Sequence, residues 1–292
     1  MSIAILIQVT LGGLLLGGLY ALVAFGLSLV YGVAGILNFS HGTLLAVAGI
    51  IASVLYAATG LNPLIIGVIL IPGFLVFGYF FYAYFLDPLT SRNPFENTVG
   101  TVLVTVGALL ILSDLSALLA GPTVKNIPLR FQTIEIGDVI ISMTQVFIFA
   151  GIAALITGLH LFIKRSWIGR AMRAVAQDQV AAQICGVRPN KIRCYTFAVG
   201  SGIVAVAAIL YVLSFPVDPY MGFSLTVKAF TIIILGGIGN LLGALLAGLF
   251  LGVVEAMTAF FWASDWAPAV SIILLLVILV IFPRGIVARL RS

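Results

Sequence analysis

The chain has 292 residues, of which 62% are hydrophobic and only 8% charged, with a formal net charge of +5. A soluble domain has about 25% charged residues, so this composition, with a mean hydropathy of +1.27, excludes a soluble globular protein. The apolar runs also lack the alternation of polar and apolar residues that a membrane β-barrel requires. We therefore predict an all-α, polytopic helical membrane protein with about eight to ten transmembrane segments, including broken or re-entrant helices.

The apolar runs predict the membrane crossings, since a helix needs about 20 apolar residues to span the hydrocarbon core. One long run, 225–262, is interrupted by GGIGNLLG at 236–243, so either two short helices meet there or one segment enters the membrane and turns back. Near the N-terminus, the GxxxG spacing of Gly13 and Gly17 favours close packing between helices of the same chain. The remaining predicted crossings are 5–31, 43–59, 64–86, 98–120, 139–163, 195–213 and 268–283.

The segment GILNFSHG at 35–42 places polar residues between the first two predicted crossings. Irregular backbone at membrane depth is tolerated only where protein or a watery cavity satisfies its polar groups. Asn38, Ser40 and His41 are therefore tentative residues of a translocation pathway, although an ordinary loop at the membrane surface fits the segment equally well. A histidine can change its charge near neutral pH, but we interpret His41 as a lone hydrogen-bonded histidine.

A second polar break, at Asn240, loosely repeats the first one. Asn240 and Gly243 precede ALLAGLFLG much as Asn38 and Gly42 precede TLLAVAGI. Interrupted helices in both halves are a feature of transporters, whose sites lie between the halves. We therefore add Asn240 to the tentative pathway, although composition alone would also produce so short a repeat.

Charged side chains inside apolar runs are costly in lipid and usually face the protein interior or water. Asp114 and Glu255 are such residues, and Lys228 lies near a predicted helix end. Lys228 and Glu255 complete the tentative pathway, but their spacing does not decide whether they pair. Polar bonds that hold helices together are an equally good interpretation of all three residues.

The segment from Lys164 to Arg193 contains seven of the 14 Lys and Arg residues, with Asp178 as its only acid. Short loops rich in Lys and Arg stay on the cytoplasmic side, so this segment is predicted to be cytoplasmic. The same rule places the C-terminus there, because the tail contains Arg284, Arg289 and Arg291 and no acid. The balanced charges of the loop at 121–138 fit the opposite side, and counting back through the crossings places the N-terminus there too.

Two short helices are predicted within 169–186. Arg170 and Arg173 lie three residues apart, on one helical face. Asp178 has the position of an N-cap for QVAAQIC, and Gly186 has that of the left-handed residue that ends a helix. The small apolar face of the second helix favours contact with a cytoplasmic partner, whereas its charges alone would fit a loop that sets topology or a helix on anionic lipid.

Motifs for other kinds of function are absent from the sequence. No glycine-rich run is followed by Lys and Ser or Thr, as in a phosphate-binding loop, and the two histidines, His41 and His160, lie outside any HExxH pattern. Cys185 and Cys194 lack CxxC spacing and are interpreted as structural thiols. We expect no enzymatic activity, no metal or cofactor bound by this chain, and no nucleic-acid partner.

The heptapeptide VAAQICG at 180–186 resembles the EAA-x3-G core of the loop by which bacterial ABC importer permeases dock on their ATPase subunits. Val180 replaces the acidic residue of that core, which leaves an acidic role there without support. Four segments together resemble the inner-membrane permease of the high-affinity branched-chain amino acid importer, the leucine, isoleucine and valine H-type family. They are GLSLVYGVAGILNFSHG at 26–42, GRAMRAVAQDQVAAQICGV at 169–187, DPYMGFSLTVKAF at 218–230 and LGGIGNLLGALLAGLFLGVVEAM at 235–257.

This resemblance implies a single transmembrane permease domain over 1–292, with an ATPase-coupling helix in a cytoplasmic loop at 164–194. The coupling residues that it implies are Arg170, Arg173, Asp178, Ala181, Ala182 and Gly186. It also implies four kinds of partner in or at the bacterial inner membrane. They are a second permease subunit, often a different chain, two cytoplasmic ATP-binding subunits that hold ATP and Mg, a periplasmic or surface-tethered substrate-binding protein, and membrane lipid.

The expected function is import of branched-chain or related small amino acids by alternating access, driven by the partner ATPases. Permeases for urea, short amides or other small organic solutes have similar segments and stay an alternative. An ion-coupled secondary transporter fits less well, because it would show a relay of acidic or histidine residues within its spans.

Overall fold

The long apolar runs form helices in the computed structural model, which describes residues 3–90, 94–128, 133–136 and 139–281. A π-helical turn at Tyr82–Leu86 and 3-10 turns at Asp87–Leu89 and Ser264–Trp266 extend or connect them. In chain order the helices are α1 Ile3–Ala34, α2 His41–Thr59, α3 Pro63–Phe81, α4 Pro94–Ala120, α5 Met143–Arg165, α6 Trp167–Gln177, α7 Gln179–Ile184, α8 Pro189–Val212, α9 Gly222–Gly236, α10 Leu241–Phe261 and α11 Ala267–Ile281.

The predicted helical membrane fold is confirmed. Within the described ranges, seven helices are long and apolar enough to cross a membrane, namely α1, α2, α3 with its extension to Leu89, α4, α5, α8 and α10. Helices α9 and α11, of 15 residues each, are shorter. Each predicted crossing corresponds to one helix, although the last two residues of the crossing predicted at 268–283 lie outside the described residues.

The interrupted run at 225–262 forms two helices, α9 and α10. Gly236, at the end of α9, packs against the backbone of Gly243, and Lys228 reaches Glu255 further along α10. Going backward along α9 from the first contact to the second means going forward along α10, which requires that the two helices are antiparallel. Two helices therefore meet at the glycine-rich break, and the chain reverses its direction there.

A short β-hairpin precedes α5, and the apolar pattern did not predict it. Its strands are β1, Thr133–Ile136, and β2, Val139–Ser142, paired antiparallel with Thr133 opposite Ser142. Both strands are rich in β-branched residues, which favour a pleated backbone. The crossing predicted at 139–163 therefore begins in this hairpin, and α5 starts where Ser142 accepts a hydrogen bond from the backbone N–H of Thr144 at 3.2 Å.

Helices α1 and α8 form the centre of the bundle. In their most apolar windows, 89% and 83% of the residues are buried, against 22% in α4 and 17% in α5. The outer helices instead expose large apolar side chains, as expected for surfaces that face lipid or a membrane partner.

A seam of small residues joins α1 to α10. Added Cβ atoms on Gly13 and Gly17 would collide with the α10 backbone, and one on Gly252 would collide with α1. Small residues let helix backbones approach this closely in a membrane. The GxxxG spacing of Gly13 and Gly17 thus serves packing within the chain, as predicted. The small-residue seam consists of Gly13, Gly17, Ala21, Gly248, Gly252 and Ala256.

The two ends of the bundle differ in charge. The ends of α1 and α5, helices α6 and α7, and the α9–α10 connection lie together in a shared cavity lining and apolar cluster. The Gly239 N–H also donates a 2.8 Å hydrogen bond to Ser28 Oγ. We call this the basic end, because residues 164–193 lie there. At the opposite end, the backbones of Lys125 and Val217 exchange two hydrogen bonds of 2.8 Å.

The loop at 121–138 therefore begins at the end opposite the basic one, in agreement with its balanced charge. Two of its charged residues, Arg130 and Asp138, lie outside the described residues. The basic residues of the tail, Arg284, Arg289 and Arg291, also lie outside them, so the predicted side of the C-terminus stays a prediction.

Candidate functional site

Helix α7 has the two caps that the sequence predicted. Asp178 Oδ1 accepts hydrogen bonds from the backbone N–H groups of Val180 at 2.8 Å and Ala181 at 3.0 Å. At the other end Gly186 has a φ of 81°, and its N–H donates to the Gln183 carbonyl at 2.9 Å. The following N–H, of Val187, reaches the carbonyl of Ala182 at 3.0 Å, which completes a Schellman motif.

The fixed ends orient the sides of α7. Ala182 is buried and packs with residues of α1, α6 and α8, so it lies on the inner face of α7. Val180 and Ile184 are 65% and 83% exposed, and Ala181 is exposed beside them. Of the predicted coupling residues, Ala181 is therefore on the accessible face and Ala182 is not. The exposed face of α7 is therefore both ordered and apolar, as is typical of helices that dock in a groove.

Helix α6 is fixed to the end of α5 by the two predicted arginines. Arg170 donates from Nη1 to the carbonyl of Arg165 at 2.8 Å, and Arg173 donates from Nη1 to the carbonyl of Ile163. The last carbonyls of a helix have no partner within it, and basic side chains commonly satisfy them. Both side chains are exposed, so these bonds leave other guanidinium N–H groups accessible.

A contact that the sequence did not predict connects α7 to α8. Arg193 Nη2 donates to Gln179 Oε1 at 2.5 Å.

The buried side of helix α6 contacts α1, where Met172 and Val175 pack against Phe25. A displacement of α6 and α7 would therefore act directly on α1, α5 and α8, of which α1 and α8 form the centre of the bundle.

The break between α1 and α2 lies inside the protein. Asn38 and Ser40 are buried, and Gly35 turns the chain with a φ of 68°. Hydroxyl groups from neighbouring helices satisfy its backbone: Thr105 donates to the Leu37 carbonyl at 3.2 Å, and Thr226 of α9 donates to that of Phe39 at 3.0 Å. Of the two interpretations left open above, the structure thus favours irregular backbone within the bundle over a surface loop.

The predicted polar residues of this break differ in how fully their side chains are hydrogen-bonded. Asn38 Oδ1 accepts hydrogen bonds from the N–H of Ser40 at 3.1 Å and from its Oγ at 2.7 Å. His41 Nε2 lies 3.1 Å from the Val23 carbonyl, which confirms a hydrogen-bonded histidine. By contrast, Asn38 Nδ2 is buried and has no hydrogen-bond partner among the described residues. A buried donor without a partner costs free energy, about 1–3 kcal/mol.

Lys228 and Glu255 meet in a buried polar cluster. Lys228 Nζ lies 2.9 Å from Glu255 Oε2 and 2.7 Å from the hydroxyl of Tyr20, and that hydroxyl donates to Glu255 Oε2 at 2.9 Å. Ser271 donates to the other carboxylate oxygen. The cluster joins α1, α9, α10 and α11. The sequence did not indicate Tyr20 and Ser271 as members, because each is an isolated hydroxyl in an apolar run.

The other polar candidates lie apart from these two groups. Asn240 is in the α9–α10 connection at the basic end, where its Oδ1 accepts a hydrogen bond from the N–H of Gly243 at 3.2 Å and so caps α10. The pathway role predicted for it stays a prediction. Asp114 is exposed on the outer side of α4. Within the described residues, no group of three or more His, Cys, Asp or Glu side chains forms a metal site.

Comparison with known proteins identifies the family of this chain. Residues 9–281 match the family described as branched-chain amino acid transport system / permease component. The high-affinity branched-chain amino acid permease proteins BraD of Pseudomonas aeruginosa and LivH of Escherichia coli are 35% and 30% identical, each over 97% of this chain and 96% of the relative. The ribose import permease protein RbsC of Haemophilus influenzae is 26% identical over 78% of this chain and 71% of its own length. Accordingly, the chain belongs to the family of branched-chain amino acid transport permease components.

Proposed function

We propose that this chain is the permease subunit of an ABC importer that moves branched-chain or related small amino acids across the bacterial inner membrane. The family match over residues 9–281, two amino acid permeases at 30% identity or more, and the membrane-length helices support this function. ATP and Mg bind to separate partner subunits, and the chain itself is not an enzyme.

The observation that most supports an ATPase-driven mechanism is helix α7. It is capped at both ends, and Val180 and Ile184 expose apolar surface at the basic end. In this proposal the basic end is cytoplasmic, and two ATP-binding subunits contact α7 together with Arg170 and Arg173. When ATP draws these subunits together, α6 and α7 move with them and pull on α1, α5 and α8. The bundle then alternates between inward-facing and outward-facing forms.

We further propose that the buried break at Asn38, Ser40 and His41 lies on the translocation pathway. Its supporting observation is Asn38 Nδ2, a donor with no hydrogen-bond partner in the described part of the chain, which the carboxylate of an amino acid would satisfy. Lys228 and Glu255 neutralise each other, so the charges of a zwitterionic substrate find no free counter-charge there. For this pair the geometry favours the structural interpretation, in which buried bonds hold helices together.

In this proposal, the second permease subunit contacts the outer side of α4. Asp114 is exposed within this apolar helix, and a carboxylate that faces hydrocarbon costs about 3 kcal/mol or more. A partner that supplies a hydrogen-bond donor would remove this cost. In the same proposal, the substrate-binding protein docks at the end opposite the basic one, where Tyr220 is 58% exposed.

Uptake by the reconstituted complex tests the function. Proteoliposomes with this chain, its partner permease, ATPases and binding protein should accumulate labelled leucine only with ATP on the ATPase side, and excess valine or isoleucine should compete. Uptake driven by an ion gradient without ATP would contradict the proposal. ATP-dependent uptake of urea, an amide or another small solute in place of leucine would retain the importer and replace its substrate.

A further inference from the structure

A cavity of about 560 Å³ opens at the basic end between α1, α5, α6 and the α9–α10 connection. This volume is within the range of about 300–1,000 Å³ that small-ligand sites have. It is separate from the buried break at Asn38 and from the exposed face of α7, and of the residues proposed for transport it shares Arg173 and Asn240. Its walls differ strongly in polarity, which indicates the chemistry of the ligand.

One wall of the cavity is basic. His160 and Lys164 lie one turn apart on α5, and Arg173 faces them from α6. Arg173 uses one N–H group for the Ile163 carbonyl, and the guanidinium has further donors. No described lining residue is acidic, and neither Lys164 nor Arg173 has a carboxylate partner among the described residues. This arrangement favours an anion, and guanidinium and ammonium groups commonly bind phosphate.

The other wall is apolar and continues out of the cavity. Leu29 and Val33 of α1 line its inner side, and Leu242 of α10 lies at its edge. Leu242 and Leu246, one turn further along α10, are 64% and 68% exposed on the outer surface of that helix. A free phosphate ion would make no use of this surface, whereas a lipid tail would cover it. The ligand should therefore have an anionic head and a long apolar part.

We propose that this cavity binds the phosphate headgroup of an anionic phospholipid, with its acyl chains along Leu242 and Leu246. Lys164 and Arg173 contact the phosphate, at the depth where a cytoplasmic leaflet would place it. Because α6 is one wall of the site, the bound lipid connects α6 to α5 and α10. Lipid there would stabilise the position of α6 and α7 that the structure shows.

Native mass spectrometry of the complete detergent-solubilised complex tests the site. Phosphatidylglycerol is titrated in, with zwitterionic phosphatidylethanolamine as the comparison lipid. Lys164→Gln should weaken the tightest phosphatidylglycerol adduct about fivefold, and Lys164→Gln with Arg173→Gln should weaken it by about that factor again. Lys191→Gln removes a charge from the same basic segment outside the cavity and should leave the adduct unchanged.

Three results would overturn the proposal. The first is equal phosphatidylglycerol binding by wild type, Lys164→Gln and Lys191→Gln. The second is equal binding of the two lipids, because the site would then not recognise an anionic head. The third is full displacement of phosphatidylglycerol by inorganic phosphate alone, which would assign the basic wall to a free anion. Each readout is independent of transport activity.

Discussion

Glu255 is a buried carboxylate that accepts hydrogen bonds from side chains on three other helices. Its charge is balanced by Lys228, which also lies 4.6 Å from the centre of the Tyr20 ring. In a buried pair the cost of desolvation offsets much of the attraction, but removal of a single partner leaves an isolated charge. The cluster therefore makes the packing of α9 against α1 and α10 dependent on two charges being present together.

Glu255→Gln should destabilise the folded chain by about 3–5 kcal/mol, because the Lys228 ammonium would stay buried without its counter-charge. The combination of Lys228→Met with Glu255→Gln should recover much of this loss. Thermal unfolding midpoints in detergent measure both effects, and Asp265→Asn, on an exposed turn, is the control. A combined variant as unstable as Glu255→Gln alone would contradict this account.

Asn38→Asp tests the amide donor of the buried break. The new side chain keeps the acceptor oxygen that binds Ser40 but loses the Nδ2 donor proposed for the substrate carboxylate. Leucine uptake should fall about tenfold or more, since a hydrogen bond to a charged group contributes about 1.5–3 kcal/mol.

The control is Asn62→Asp, because Asn62 caps α3 at an exposed position through the same oxygen. Unfolding midpoints show whether each variant is folded. Wild-type uptake by a folded Asn38→Asp complex would remove Asn38 from the pathway.

The sequence indicated most of these polar residues but not which of them contact each other. Lys228 and Glu255 are separated by a helix break, so their pairing depends on how α9 and α10 reverse and align. The signal for Tyr20 was weaker still, a lone hydroxyl in an apolar run. The resemblance of the Asn240 break to the Asn38 break did not indicate that the Asn240 oxygen caps α10 at the basic end, and the pathway role of Asn240 stays a prediction.

Helix α7 is the element whose form was most predictable, because caps are local. Asp178 and Gly186 identify its ends through the backbone within a few residues of each. The contacts of Arg170 and Arg173 with the end of α5 were not predictable, since they depend on the angle at Ser166 between α5 and α6. The hairpin at 133–142 was missed for a related reason: a short apolar run does not by itself distinguish a strand from a helix.

Gly186→Val tests whether transport requires the left-handed cap that ends α7. An added Cβ meets nothing within 4 Å, so the left-handed backbone alone opposes the change, by roughly 1–2 kcal/mol. We expect severalfold lower uptake per assembled complex, with membrane insertion retained. Gly158→Val is the matched control, because Gly158 also has open space around it but lies within helix α5. Equal uptake by the two variants would show that residues 164–193 only set topology.

The whole molecule is a bundle of helices around α1 and α8, and its basic end contains helices α6 and α7 and the proposed lipid site. Composition was sufficient to predict this class of fold, because a chain with 8% charged residues cannot form an aqueous surface. The arrangement of the helices could not be predicted from the sequence, except that Gly13 and Gly17 indicated one close contact between helices. Their partner on α10 is set by the full small-residue seam, which no single spacing reveals.

The cysteines of the chain test its orientation. Cys185 is exposed at the end of α7 and Cys194 is buried in α8. If the basic end is cytoplasmic, a membrane-impermeant maleimide should label the chain in inside-out vesicles and not in intact spheroplasts. Cys185→Ser should abolish the labelling. Labelling of Cys185 from the outside would invert the proposed topology.

Co-purification of the ATP-binding subunits tests most directly whether α7 couples this permease to ATP. In mild detergent the wild-type chain should retain these subunits, as should Asn190→Asp, which adds a charge at an exposed position of the same segment. Val180→Asp with Ile184→Asp should release them, because two carboxylates would replace the exposed apolar face of α7. Absence of the ATP-binding subunits from the wild type, or their full retention by the doubly substituted chain, would contradict the account.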